Sequence, residues 1–243
     1  MPMRSPILAV PAFALLLAAG AAHATTTLFL DRCSASCGYT PGYDDSRTNT
    51  SSLLNQSSVL SAFAYGDTSW NDVVACVQQT FAPFDVQVTD VDPGAAEHLE
   101  IAVAGTPEEM GQQAGITNVS PITCIGTRVV ANGIGFAFAG TIGDAPLEIC
   151  RNAAQAAGAL LGLDHELLAG DVMTYLSGSL PRQFLDATAD CGESTPRSCI
   201  CDGTTQNSYQ WLLATLPEPG ALATGTTALL ALAGIRRGAA RRT

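Results

Sequence analysis

Short runs of hydrophobic residues predict four β-strands. Residues 84–91 alternate between apolar and polar side chains, which is the period of a strand with one buried face. Residues 99–104 follow the same pattern. The β-prone residues 26–30 and the apolar residues 134–139, which include Phe136, predict two further strands. We expect these strands to form a sheet.

Hydrophobic residues at helical spacing predict a helix just before the strand at residues 84–91. Val73, Val77 and Phe81 recur every four residues and therefore lie on one face of a helix. Ser69 is expected to cap this helix, which would begin near Trp70.

The remaining pattern predicts a polar loop and a last helix. Residues 34–58 are rich in Ser, Thr, Gly, Asn and Asp, which is typical of a loop. A cysteine-rich loop precedes residues 206–216, where we expect the last helix.

A central helix is predicted to begin at Asp144. The Asp144 carboxylate is expected to cap the first free N–H groups, and Pro146 is tolerated in the first turn. The interior is rich in Ala and Leu, which favour helix. Gly162 is expected to adopt the left-handed conformation that ends the helix.

The N-terminal residues 1–24 have the pattern of a secretory signal peptide. Arg4 precedes an apolar run over residues 7–19, and Ala22 and Ala24 give the small residues of a cleavage site. This pattern predicts export and cleavage by signal peptidase after Ala24. The alternative is an uncleaved anchor, but the run is short of the ~20 residues that span a bilayer.

The C-terminal residues 217–243 resemble a PEP-CTERM sorting signal. Pro217, Glu218 and Pro219 are followed by an apolar stretch over residues 221–235 and by four arginines. The resemblance implies processing by an exosortase-type enzyme, transient membrane association and delivery to the cell surface or the medium. The alternative is an amphiphilic helix that folds onto the domain.

The charge of residues 25–216 excludes some partners. This body has six arginines and no lysine against 21 acidic residues, a formal balance of −15. A surface of that sign repels nucleic acid and anionic lipid. The excess charge is best explained by solubility.

The cysteine content predicts disulfides. An even number of cysteines in an exported chain is typical of a disulfide framework. We expect Cys33 to pair with Cys37, and one bridge to form within residues 191–201; spacing does not determine the other pairs. The alternative is a thiolate metal site at Cys191, Cys199 and Cys201. The eight cysteines are Cys33, Cys37, Cys76, Cys124, Cys150, Cys191, Cys199 and Cys201.

The spacing of Gly162, His165 and Met173 resembles that of the metzincin metallopeptidases, most closely the matrixin-like branch. In that family a long helix carries His-Glu-x-x-His, then x-x-Gly-x-x-His, and a Met-turn follows. The resemblance implies an α+β fold for residues 25–216. It would be a disulfide-bonded, zincin-like domain with a twisted mixed sheet, a long central helix, a Met-turn and a C-terminal helix.

The zinc site of that family is degenerate in this chain. Counting back from His165, the first two histidine positions are Gln155 and Ala159, and the glutamate position is Ala156. Zinc catalysis needs three protein ligands and a general base, which these residues do not provide. We therefore expect neither a catalytic residue nor zinc. Calcium at Asp90 and Asp92 is the alternative cofactor, although two carboxylates on a turn are usually solvated.

Each polar or packing residue of the degenerate cleft has an expected contact. Gln155 is expected to hydrogen bond to His165, because a buried amide needs a partner. Met173 and Tyr175 are expected to pack in the cleft. His165 is expected to be a polar cleft residue with an ordinary hydrogen-bond partner. The alternative is a ligand to another ion together with Asp164, Glu166 or His98, although His98 itself is expected on the surface.

These observations favour an exported, catalytically inactive metzincin-like protein that binds a peptide or polymer in the former cleft. One alternative is an active zinc-dependent metallopeptidase with non-standard ligands. The other is a structural surface protein without a cleft function.

Overall fold

The computed structural model of the chain describes residues 25–216. The predicted signal peptide (1–24) and the predicted sorting signal (217–243) lie outside the described residues. The strands are β1 (Thr26–Asp31), β2 (Ser36–Pro41), β3 (Thr50–Ser51), β4 (Ser58–Ser61), β5 (Val86–Thr89), β6 (Leu99–Val103), β7 (Asn118–Val119), β8 (Ile134–Ala137), β9 (Ala189–Asp190) and β10 (Thr205–Gln206). The helices are α1 (Gly66–Phe81), α2 (Ala139–Ile142), α3 (Pro146–Leu160) and α4 (Ser208–Thr215).

The main sheet is mixed and has five strands in the order β5-β1-β6-β8-β7. The first four are parallel, and β7 pairs with β8 in the antiparallel direction at one edge. Strands β2, β3 and β4 form a separate small sheet, and β9 pairs with β10. The expected α+β class with a mixed sheet is confirmed.

Both faces of the main sheet are covered. Helices α1 and α3 pack on one face, where Ile101 of β6 joins their hydrophobic core. The small sheet covers the other face, where Tyr39 and Leu60 pack in a second core with Ala102 and Phe136. Strand β6 is therefore buried on both faces, whereas its sequence pattern predicted burial of one face.

The four predicted strands and the last helix are confirmed with slightly different bounds. The prediction of a loop over residues 34–58 is wrong, because β2, β3 and the first residue of β4 lie there. Cys37 and Tyr39 of β2 point into the second core, at 7% and 1% exposure. Because most of the residues around them are polar, the alternation of buried and exposed positions in β2 was not recognised in the sequence.

Both predicted helix caps are wrong, and the two side chains bond to each other. Helix α1 begins at Gly66, three residues before Ser69. Helix α3 begins at Pro146 after Ala145, without a side-chain cap. The Ser69 hydroxyl donates to Asp144 Oδ1 over 2.6 Å, so the pair joins α1 to the start of α3.

All eight cysteines form disulfides, which leaves none free for the thiolate metal site. The expected local bridges Cys33–Cys37 and Cys191–Cys199 are confirmed. The other two bridges are long-range: Cys76–Cys150 joins α1 to α3, and Cys124–Cys201 joins two distant loops. Within residues 25–216 no helix has both the length and the apolar composition needed to cross a membrane.

Candidate functional site

The C-terminal half of α3 packs against a tight turn around Met173. Gly162 has a φ of +88° and ends the helix as predicted, because a residue with a side chain rarely adopts that conformation. The Leu163 N–H then donates to Gly158 O over 3.0 Å. The chain is thereby turned back toward the helix.

The turn is held by one buried carboxylate. Asp171 Oδ1 accepts from the Met173 N–H over 2.7 Å. Asp171 Oδ2 accepts from the Leu185 N–H over 2.7 Å and from the Ser208 hydroxyl over 2.6 Å. These bonds connect the turn to α4, and they place the fully buried Met173 side chain beneath α3.

Met173 lies directly against the helix. A Cβ added to Gly158 would stand 2.5 Å from Met173 Sδ, so the glycine permits this close approach. The Glu166 N–H donates to Met173 O over 3.1 Å. Gly158, before the end of α3, and Glu166, after it, therefore both contact Met173. Met173 has the packing role that was expected of it.

Gln155 connects the edge of the sheet to this turn. Its side chain is 1% exposed. Its Oε1 accepts from Asn118 Nδ2 of β7 over 2.9 Å, and its Nε2 donates to Val172 O over 3.2 Å. Asn118 Nδ2 also donates to Asn152 Oδ1 over 2.7 Å. The expected bond from Gln155 to His165 is wrong, because both ends of the amide have other partners.

The other two residues that were compared with the zinc motif, Ala156 and Ala159, are apolar and enclosed. Ala156 is fully buried, and a Cβ added to Gly135 of β8 would stand 3.3 Å from its Cβ. The Ser120 hydroxyl donates to Ala156 O over 2.8 Å. Ala159 is 8% exposed and has no ligand atom. Zinc does not fit this set of residues, since one side chain is committed to two hydrogen bonds and two have nothing to offer.

His165 belongs to a different group of side chains. Its Nδ1 lies 3.2 Å from Glu193 Oε1, and its ring centroid is 4.4 Å from that of Tyr175. Tyr175 is 48% exposed, so it packs on one side only. His165 is therefore a polar residue with an ordinary partner, as expected.

One arginine bonds to both acids beside His165. Arg197 donates to both carboxylate oxygens of Asp164, over 2.6 and 2.8 Å, and to Glu193 Oε1 over 2.6 Å. Its hydrogen bond lowers the pKa of Glu193 to about 2. Burial raises the pKa of Asp164, but bonds from Arg197 and from the N–H groups of Ile200 and His165 outweigh burial and leave it below its usual value.

Asp164, His165 and Glu193 offer ligand atoms that all lie within 4.8 Å of one another. This is the geometry of a small cation site. However, the Arg197 guanidinium already forms salt bridges to both carboxylates. A metal ion would have to displace it.

A buried acid pair lies beside this group. Glu166 and Asp171 are both fully buried. Burial, together with the negative charge of Asp171, raises the pKa of Glu166. Sequence reasoning missed the role of Asp171, whose only signal was its position two residues before Met173.

Three other predicted residues lie elsewhere. His98 is 4% exposed, so its predicted surface position is wrong; its Nδ1 lies 2.8 Å from Ala96 O. Asp90 accepts from the Trp70 indole over 3.1 Å, and Asp92 accepts from the Gly94 N–H over 2.7 Å. Each carboxylate therefore has an internal donor.

The chain was compared with known proteins. No family model, no curated protein and no solved structure matches it. Its function must be inferred from the geometry of the site.

Proposed function

We propose that this chain is an exported, catalytically inactive metzincin-like domain that binds an extended peptide between β7 and the Met173 turn. The observation that carries the proposal is the double hydrogen bond of Gln155. That amide occupies the position of the family's first histidine, and it bonds to β7 and to the Met173 turn.

The order of elements supports the family part of the proposal. A sheet, a long central helix, a glycine turn, a buried methionine turn and a last helix follow one another as the resemblance implies. Gly162 has the left-handed backbone, and Met173 lies beneath the helix. These are structural roles that persist without a metal.

The edge of the sheet supports peptide as the ligand. Among the described strands β7 pairs only with β8, so its outer edge is open to another strand. An extended peptide can add to such an edge through main-chain hydrogen bonds. Gln155 holds β7 beside the turn, and the half-exposed Tyr175 follows three residues after Val172. The indicated groove has an edge strand on one wall and an aromatic side chain on the other.

Metal analysis tests the loss of zinc. The purified protein is expected to contain no stoichiometric zinc, and its unfolding temperature should not change with a chelator. About one tightly bound zinc ion per chain, or peptide turnover abolished by a chelator, would contradict the proposal.

A designed metal site tests the register of the helix. The double variant Gln155→His/Ala159→His places two imidazoles one helical turn apart, with His165 as the third ligand. We expect it to bind zinc, and a further His165→Ala change to weaken that binding. If the double variant binds no zinc, or binds it equally well without His165, the family register is wrong.

A peptide titration tests the groove. The probe is a fluorescein-labelled (Lys-Val)₃ peptide, whose alternation favours a strand and whose charge complements the acidic body. Tyr175→Ala should weaken binding about fivefold or more. Tyr43→Ala, an exposed tyrosine outside the groove at 97% exposure, should not. Equal effects of the two variants would contradict the proposal.

The compact group of Asp164, His165 and Glu193 favours the second candidate, an active metallopeptidase with non-standard ligands. Arg197→Ala separates the two candidates, because it removes the competing positive charge. Metal binding by the native protein supports the second candidate. Binding by the variant alone shows that Arg197 has replaced the ion.

Export itself is tested by N-terminal sequencing of secreted protein, which should begin at Thr25.

A further inference from the structure

A cavity of ≈ 500 Å³ lies beside α4. One wall is a single face of α4 and its cap, formed by Asn207, Gln210, Trp211 and Ala214. These residues are three and four positions apart, so their side chains lie on the same side of the helix. The volume is within the usual range of small-molecule sites.

The opposite wall is covalently fixed. It is formed by residues 199–202, and the bridges Cys191–Cys199 and Cys124–Cys201 attach it to two other segments. Gly162 lies at the base, where a Cβ would stand 2.8 Å from Arg128 Cβ and 3.2 Å from the Trp211 ring. The cavity is therefore formed in advance and does not require a loop to close.

Trp211 and Arg128 provide a flat surface without net charge. The Trp211 indole N–H donates to Leu161 O over 2.8 Å, which fixes the ring. The Arg128 guanidinium lies 5.1 Å from the ring centroid. Its Nη2 donates to Asp202 Oδ2 over 2.6 Å, so the positive charge is already balanced.

Unused polar atoms surround this surface. Gln210 donates through Nε2 to Asp186, and its Oε1 makes no hydrogen bond within residues 25–216. In the same part of the chain, Thr205 Oγ1 and the Nε of Arg128 also have no hydrogen-bond partner. The cavity thus presents both donors and acceptors beside an aromatic ring and the half-exposed Ile200.

We propose that this cavity binds a neutral saccharide. Hydroxyl groups both donate and accept hydrogen bonds, which matches the mixture of free atoms. The C–H groups of a sugar ring can pack against the part of the partly exposed Trp211 indole that Arg128 leaves uncovered. The excess negative charge of the body opposes anionic ligands, and the Arg128 guanidinium beside the indole repels a second cation. The site is independent of the peptide groove, so either can fail alone.

The test uses the full-length protein and soluble oligosaccharides. Maltotriose, cellotriose and chitotriose are the neutral probes, and trigalacturonic acid is the anionic one. Binding is followed by saturation-transfer NMR and calorimetry. We expect at least one neutral trisaccharide to bind in the millimolar range or tighter, and trigalacturonic acid not to bind.

Three variants locate the binding. Trp211→Ala should weaken it at least about tenfold, because a central aromatic contact is removed. Ala214→Trp should do the same by filling the cavity from an exposed helix position, which keeps the test valid if the first variant does not fold. Tyr43→Ala is the matched control and should change the affinity less than about twofold.

Two kinds of result would overturn the proposal. One is the absence of neutral-saccharide binding at about 10 mM, or a preference for the acidic trisaccharide. The other is binding that survives Ala214→Trp unchanged, since a ligand in this cavity would collide with the new side chain.

Discussion

Removal of the Gln155 amide should destabilise the protein by an amount that its hydrogen bonds predict. Gln155→Ala deletes the bonds to Asn118 and to Val172. Asn118 keeps its bond to Asn152, but the fully buried Val172 loses the partner of its carbonyl. A buried carbonyl without a partner costs about 1–3 kcal/mol. Lost packing raises the expected decrease in unfolding free energy to about 2–4 kcal/mol.

Gln155→Glu gives a sharper test, because it changes one group and keeps the shape. The carboxylate can still accept from Asn118, but it cannot donate to Val172 O. Its burial should raise its folded pKa above the unfolded value. The protonated form restores the donor, so the variant should be least perturbed below the unfolded pKa of about 4.3. Its relative stability should fall as the pH rises through the folded pKa.

Urea unfolding at several pH values measures both variants. The matched control is Gln79, an exposed residue of α1 that makes no side-chain hydrogen bond within residues 25–216. Gln79→Ala and Gln79→Glu should change stability by no more than about 0.5 kcal/mol. If Gln155→Ala costs no more than Gln79→Ala, or if the glutamate variant has no pH dependence relative to native protein, the bridge does not exist.

Two further predictions concern the core. Burial raises the pKa of Glu100 from 4.5 to about 8, while the Tyr39 hydroxyl donates to its Oε1 over 2.7 Å. The folded state therefore holds this proton more tightly, and between these pKa values stability should fall by up to about 1.4 kcal/mol per pH unit. Glu100→Gln should remove that part of the pH profile, and parallel profiles for the two proteins would refute the assignment. Gly158→Ala should cost about 1–3 kcal/mol because the new Cβ meets Met173. Gly38→Ala, which meets no atom within 4 Å, should be tolerated; equal thermal shifts would disprove the close contact.

Residues with a local signal were predicted well. Gly162 ends its helix because the left-handed backbone is a property of the residue itself. Cys33 and Cys37 are four positions apart, so a local bridge was the natural expectation. Residues 84–91 contain β5 because alternation is visible along the chain.

Partners at long range were not predicted. Gln155 was expected to bond to His165, yet its partners are Asn118 and Val172, which are 37 and 17 positions away. Asp144 was expected to cap its own helix, yet it bonds to Ser69. Sequence periodicity shows which face of an element is apolar. It does not show which polar group will lie opposite a given side chain.

By itself, the sequence determined four of the five strands of the main sheet, the central helix with its glycine turn, and the absence of three imidazoles at helical spacing. These follow from residue type and local spacing, which are properties of the chain before it folds. Only the tertiary structure decided the pairing of Cys76 with Cys150, the burial of His98 and the bridge made by Gln155. Each of these depends on which surfaces meet when the sheet is covered on both faces, because a buried polar group takes whichever partner that packing places within reach.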